Sequence, residues 1–355
     1  MKKVMLSVLG LLVLFLLLAL AVLFINSPGN VPKLEAARDE PFRNSINEKQ
    51  FVEINGVKQG MFLRGEDKNK PVLLFLHGGP GSPEFAMTQA WETNARLESE
   101  FVVCYWDQRG TGMSNPKQLD PKTLTAETAI SDTVEVTNYL RERFDRQTIY
   151  LMGHSWGSYV GIKTVQNNPE LYTAYLGIGQ VVHQKAGQKM AYNYLRNHAK
   201  KIDDQKALKQ LEIFDPEGSA YNMLLEDYGV GIRHDGPAIG TMLKNLFFFK
   251  GYTVSEKLQA IKGMPLSNKY LDTKDYAEDN LLKSIKKLDV PVYLLEGKYD
   301  YQVSQKLAQD FYEQLEAPDK KFYLFEHSAH SPNMEEPKEF MKAIKEIVRQ
   351  TQGVD

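Results

Sequence analysis

Six short apolar runs constrain what this chain can fold into. PVLLFLHGG (71–79), FVVCYWD (101–107), TIYLMGHS (148–155), YLGIGQVV (175–182), PVYLLEG (291–297) and KFYLFEH (321–327) lack the polar/apolar alternation of a half-exposed strand. Continuous apolar runs of this length belong to strands covered on both faces. Between most of them lie stretches of helical pattern: around 84–98, over TAETAISDTVEVTNYLRERF at 125–144, in SYVGIKTVQNN, at 304–315 and at 337–350. Thr125 and Thr128 are both candidate caps of the second helix. Strands alternating with helices predict an α/β fold with a mostly parallel central sheet covered by helices on both faces. Two β-like runs, QFVEING and MFLRGE, precede the first long run.

The alternation stops after about His183 and resumes near Lys287. The intervening sequence is helical, polar and aromatic, and includes NLFFFKGY at 245–252. A structureless loop of roughly a hundred residues inside one domain is uncommon. The stretch 183–287 is therefore expected to be an inserted helical cap, dividing a core into 49–182 and 288–355.

The first 25 residues differ in kind. After Met-Lys-Lys, the 22 residues Val4 to Ile25 carry no charge. As a helix they would extend about 33 Å, close to the thickness of a bilayer core. The apolar part of a secretory signal is shorter, and no A-x-A cleavage site follows here. The expectation is one N-terminal transmembrane helix over 1–25, with a cleaved signal as the alternative. Lys2 and Lys3 favour a cytoplasmic N-terminus, which puts the remaining domain outside the cytoplasm at the cell membrane, or secreted if the segment is cleaved. Residues 26–48 are polar, contain three prolines and read as a linker.

Forty-three Lys and Arg stand against 45 Asp and Glu, a formal net charge of −2. That balance offers no basic footprint for nucleic acid. The one cysteine, Cys104, sits in an apolar strand and reads as a core thiol. No His/Cys spacing suits zinc and no HExxH occurs, so no metal or cofactor is implied.

Chemistry enters at Gly-His-Ser-Trp-Gly, 153–157, directly after the TIYLM run. Glycines at both ends let a chain turn sharply from strand to helix and present Ser155 at the top of a sheet. A serine needs a base, and the expected chain order is Ser, then Asp or Glu, then His. Asp300 follows one apolar strand and His330 another, both where sites in open α/β sheets lie. His330 is expected to take and return the Ser155 proton, with Asp300 orienting its ring. His327 is a rival base and Glu296 a rival acid. His154 reads as a packed neighbour of the serine. HGGPG at 77–81 and the amide after the nucleophile are expected to form an oxyanion hole from Gly79 and Trp156, with Gly78 as the alternative to Gly79. In DQRGTGMS, Asp107 and Arg109 are expected to pair and fix their loop.

HGGPG, DQRGTGMS, GHSWGS, GKYDYQV and HSAHSPNMEEP, in that order, resemble the α/β-hydrolase fold, and more narrowly its proline iminopeptidase-related branch. The likeness covers roughly residues 50 to 350. Ser158 stands where relatives often have a second glycine. The resemblance implies a serine peptidase that releases N-terminal residues, often proline, from short peptides, and holds the free amine with cap carboxylates. Glu212, Glu217, Glu226, Asp227 and Asp235 are the candidates for that task. The competing expectation is an esterase, amidase or lactonase whose acyl pocket is lined by NLFFFKGY.

Overall fold

The computed structural model describes residues 2–34, 42–88, 96–213, 215, 219–236, 238–271 and 273–353. Eight strands form one sheet: β1 (Ile46–Ile54), β2 (Val57–Gly65), β3 (Val72–Leu76), β4 (Val102–Trp106), β5 (Ile149–His154), β6 (Tyr172–Ile178), β7 (Val292–Gly297) and β8 (Lys320–Phe325). Their order is β1-β2-β4-β3-β5-β6-β7-β8. The pairs β1–β2 and β2–β4 are antiparallel and the other five are parallel. The hairpin turns at Asn55-Gly56, both at positive φ (46° and 74°), the backbone that a two-residue hairpin loop demands.

The helices are α1 (Lys2–Ile25), α2 (Glu84–Thr88), α3 (Ala126–Phe144), α4 (Trp156–Asn167), α5 (Gln184–Lys201), α6 (Gln205–Gln210), α7 (Ser219–Asp227), α8 (Ile239–Phe248), α9 (Val254–Leu271), α10 (Lys274–Glu278), α11 (Leu281–Ser284), α12 (Gln305–Gln314), α13 (Pro332–Glu335) and α14 (Pro337–Gln352). Thr125 caps α3, its hydroxyl accepting the Thr128 N–H at 3.1 Å. The helix expected over 84–98 is described only as α2 and a short 3₁₀ turn at Leu97–Ser99, because 89–95 lie outside the described residues. The strand expected at 175–182 ends earlier, at Ile178, where the chain turns into the site.

The apolar runs are continuous because both sheet faces are covered. Along β3, Leu74 and Leu76 join one core with Val160 of α4 and Phe311 of α12. Leu73 and Phe75 join the other with Phe340, Ile344 and Ile347 of α14. Cys104 is buried in the first core, as its sequence context suggests.

Between β6 and β7 the chain runs through α5 to α11. The NLFFFKGY segment does not line the cavity described below. Leu246, Phe249 and Tyr252 are buried against Phe62 and Phe85, fastening α8 to the core. Aromatic side chains with an apolar partner within reach bury there in preference to facing an open pocket.

The α1 backbone is helical for 24 residues, but its described side chains are those of residues 9–11, 13–15 and 17–25. Among the described residues no helix is long and apolar enough to cross a membrane. The stretch read as a linker is partly docked. Pro28 bridges Thr253, Lys257 Nζ donates to the Asn26 carbonyl at 2.7 Å, Arg64 Nη1 donates to the Pro32 carbonyl at 2.6 Å, and β1 already begins at Ile46.

Candidate active site

Ser155 occupies the single residue between β5 and α4, at φ 55° and ψ −121°. Few non-glycine residues adopt positive φ, and such strain clusters at working sites. The flanking glycines are required sterically. A Cβ on Gly153 would lie 2.3 Å from the Gly157 carbonyl oxygen, and one on Gly157 would lie 2.1 Å from that of Leu76. The Ser155 N–H is held by the Ile178 carbonyl at 2.9 Å. Ser158, the departure from the familiar glycine, is fully buried and braces the turn. Its hydroxyl donates to the Ser155 carbonyl at 2.6 Å and accepts the Val181 N–H at 2.9 Å.

Asp300 and His330 meet at the same edge of the sheet. His330 Nδ1–H donates to Asp300 Oδ2 at 2.7 Å, and Asp300 Oδ1 accepts the Val303 N–H at 3.1 Å. Both side chains are buried, and His330 Nε2 has no hydrogen-bond partner among the described residues. His330 and Ser155 line one cavity of about 130 Å³. The cavity is also bordered by Gly78 and Gly79, by Glu84 and His154, and by the apolar side chains of Ile232, Met242 and Met334.

The rivals lie elsewhere. His327 is exposed, with its backbone N–H on Glu336. Glu296 is buried within β7, where Oε1 accepts the Gln180 N–H at 2.8 Å. Burial, and then the Asp300 charge beside it, push its carboxyl well above the usual carboxylate range.

HGGPG sits against the nucleophile. A Cβ on Gly78 would lie 3.0 Å from the Ser155 Cβ, and Gly79 takes φ 118°. Trp156 opens α4, where the first N–H groups have no acceptor within the helix. Its indole donates to Gln108 Oε1 at 3.2 Å. His77 is neutral, its pKa lowered to about 4 by burial. Its Nε2 accepts the Gln108 N–H while Nδ1–H donates to the Gly78 carbonyl, which fixes the start of the glycine loop.

The expected Asp107–Arg109 pair does not form. Arg109 makes a two-pronged contact with Asp132 of α3, at 2.7 and 2.9 Å. Asp107 instead accepts the Met113 N–H and, at 2.5 Å, the Tyr252 hydroxyl. Burial raises its pKa to about 7. A guanidinium favours a carboxylate that can take both its prongs, and Asp132 offers both oxygens.

Among the proposed amine-binding carboxylates, Glu226 is occupied by the Ile232 and Ala238 N–H groups. Glu212, Asp227 and Asp235 are exposed, and Glu217 lies outside the described residues. The carboxylate that borders the cavity is Glu84, seven residues beyond the start of HGGPG. Its Oε2 contacts His154 Nδ1 at 3.0 Å, and His154 Nε2 faces the His330 carbonyl at 3.0 Å. No sequence pattern marks this pair, because it depends on α2 folding back over the strand ends.

The comparisons agree with the geometry. The sequence profile of the alpha/beta hydrolase fold matches residues 71–337. The chain is 31% identical to the "Probable aminopeptidase YbaC" of Bacillus subtilis (strain 168) over 320 residues, 87% of this chain and 98% of that one. It is 25% identical to a proline iminopeptidase of Clostridioides difficile (strain 630), over 83% of this chain and 96% of that one. The crystal structure of a proline iminopeptidase from Mycobacterium smegmatis superposes with a TM-score of 0.64 at 15% identity, covering 87% of this chain and 100% of that one. A sheet of this order, a strained serine between β5 and α4, and a sequence match spanning most of the chain place the protein in the α/β-hydrolase fold family, in its proline iminopeptidase-like branch.

Proposed function

We propose that the protein is a serine hydrolase in which Ser155, His330 and Asp300 form a catalytic triad, and that it acts as an aminopeptidase on N-terminal residues of short peptides. One observation carries this reading: Ser155 and His330 share a cavity, and the Asp300 carboxylate lies 2.7 Å behind the imidazole. His330 Nε2, without a partner, is the free base position. In the proposed cycle it accepts the Ser155 proton as Oγ bonds to the substrate carbonyl carbon. It then gives that proton to the leaving amine as the C–N bond breaks. Water, deprotonated by the same nitrogen, cleaves the acyl-enzyme. Gly79 and Trp156 N–H groups receive the oxyanion. Asp300 holds the Nδ1–H tautomer and stabilises the imidazolium that forms.

The names of the relatives support the peptidase reading. The segment 183–287 acts in this reading as a cap over a core made of 49–182 and 288–355. The proposal also makes residues 1–25, on their sequence alone, a single membrane anchor with the catalytic domain outside the cytoplasm, and its support is the absence of charge from Val4 to Ile25. A second reading, an esterase for small acyl substrates, is favoured by the apolar wall of Ile232, Met242 and Met334.

The test compares proline naphthylamide, its N-acetylated form and a short-chain nitrophenyl ester, with Ser155→Ala as control. Turnover of the free-amine amide, and not of its blocked form, is expected. Turnover of the ester alone would leave a serine hydrolase and remove the peptidase assignment.

A further inference from the structure

Among the described residues Glu84 is the one carboxylate that borders the cavity, and half of it is unused. Oε2 is engaged by His154, whereas Oε1 is buried with no hydrogen-bond partner among the described residues. The side chain is only 8% exposed. A buried carboxylate oxygen left without a donor costs free energy, so such an atom calls for a partner that arrives. The Gly78 amide lies near enough to favour the charged carboxylate without satisfying Oε1 by a hydrogen bond.

The neighbours decide what kind of partner fits. His154 faces an acceptor at each ring nitrogen, a carboxylate at Nδ1 and the His330 carbonyl at Nε2. A carbonyl cannot donate, so Nε2 must carry a proton, and the contact with Glu84 supplies the reason for a second one at Nδ1. Burial opposes the imidazolium, but the Glu84 charge outweighs it and raises the His154 pKa. Two carboxylates, Glu84 and Asp300, thus lie at or just behind the cavity wall, each with an imidazole against one oxygen. His77 beside them is neutral. The balance favours a cation entering.

Substrate geometry fixes where that cation must sit. In an N-terminal residue the amine nitrogen is only about 2.5 Å from the carbonyl carbon that the nucleophile attacks. The group that binds the amine must therefore border the nucleophile's own cavity. Glu84 does, and none of the described cap carboxylates singled out by the sequence does. We propose that Glu84 Oε1 receives the substrate's α-ammonium group, so that the start of α2, shortly after HGGPG, reads the free N-terminus. The proposal rests on the aminopeptidase reading for its substrate and is testable apart from it.

The test uses the full chain and inhibition of nitrophenyl acetate turnover by prolinol, which carries the ammonium but no scissile bond, against N-acetylprolinol. In the wild type the ammonium compound is expected to inhibit about tenfold or more strongly, the scale of one charge-assisted hydrogen bond. Glu84→Gln should erase that difference. Glu84→Asp, which withdraws the carboxylate by one methylene, should weaken it several-fold and serves if the Gln variant does not fold. A wild type that binds both compounds equally, or variants that keep the full preference, would overturn the assignment. If Glu84 governs prolinol binding while proline naphthylamide is not cleaved, the ammonium site stands and the peptidase reading alone falls.

Discussion

His154 Nε2 donates to the backbone carbonyl of His330 at 3.0 Å, and the two imidazole rings lie 4.9 Å apart, centre to centre. The residue before the serine thus holds the loop that carries the second histidine, and Glu84 anchors it from the other side. Truncating a buried ion pair at one partner leaves the other charge stranded, which costs on the order of 3 kcal/mol. His154→Gln is expected to lower stability by about that amount near pH 6. The sign of the pH dependence follows from both shifts. Although burial opposes each charge, the Glu84 carboxyl is lowered from 4.5 and the His154 imidazole raised from 6.5. The Glu84 contribution is present above 4.5 and lost as pH falls through its lowered value. The His154 contribution is complete below 6.5 and lost as pH rises through its raised value. The gap between wild type and variant should be widest between 4.5 and 6.5 and narrow on both sides, as read by denaturant unfolding across pH.

Gly179 makes room for the proposed base. A Cβ there would lie 2.6 Å from both Cε1 and Nδ1 of the His330 ring, and φ is +52°. Gly179→Ala should displace the imidazole from Asp300 and reduce turnover about 100-fold or more, since small misplacements of reacting groups cost that much. The backbone penalty is about 1–3 kcal/mol, so the variant should still unfold cooperatively. Near-normal turnover in Gly179→Ala would mean that His330 is not the base.

The strained backbone of Ser155 implies a stability cost tied to function. Glycine adopts φ 55° without the strain that Ser155 bears there. Ser155→Gly should therefore abolish turnover and raise stability by about 1 kcal/mol, whereas Ser155→Ala should abolish turnover without that gain. Thermal melts of the two variants side by side separate these outcomes.

Burial in β7 disfavours the charged form of Glu296, so its carboxyl is replaceable by an amide of the same shape. The raised group contributes fully below 4.5, and that contribution is lost as pH rises toward its folded value. Glu296→Gln should match the wild type at pH 4 and become progressively more stable than it at neutral pH. Loss of activity in this variant at constant stability would show that the carboxyl takes part in the chemistry.

The sheet was legible because its central strands, β3 to β7, are buried on both faces and so are written as unbroken apolar runs, and the edge strand β8, only half-buried, is apolar enough to be read with them. Ser155, Asp300 and His330 could be placed because each follows such a run, where the strand ends project into the mouth of an open sheet. Contacts made by helices folding over that mouth were not legible. Arg109 meets Asp132 and not Asp107 because α3 passes beneath the loop. Asp107 takes the hydroxyl of Tyr252, 145 residues away in sequence, because the turn between α8 and α9 packs against its loop. Glu84 and His154 lie 70 residues apart, joined only when α2 packs on the end of β5. Periodicity reads the neighbours of a residue along its own element, and these pairings are set between elements.

Covalent capture distinguishes a Ser155 activated by His330 and Asp300 from an inert serine. Full-length protein would be treated with a fluorophosphonate, which bonds to an activated serine oxygen with loss of fluoride, and the intact mass and labelled peptide determined. The account predicts one adduct, located on Ser155, absent in Ser155→Ala and formed about 10⁴-fold more slowly in Asp300→Asn. An adduct on another residue, or labelling of Ser155 at an undiminished rate when Asp300 or His330 is replaced, would contradict it.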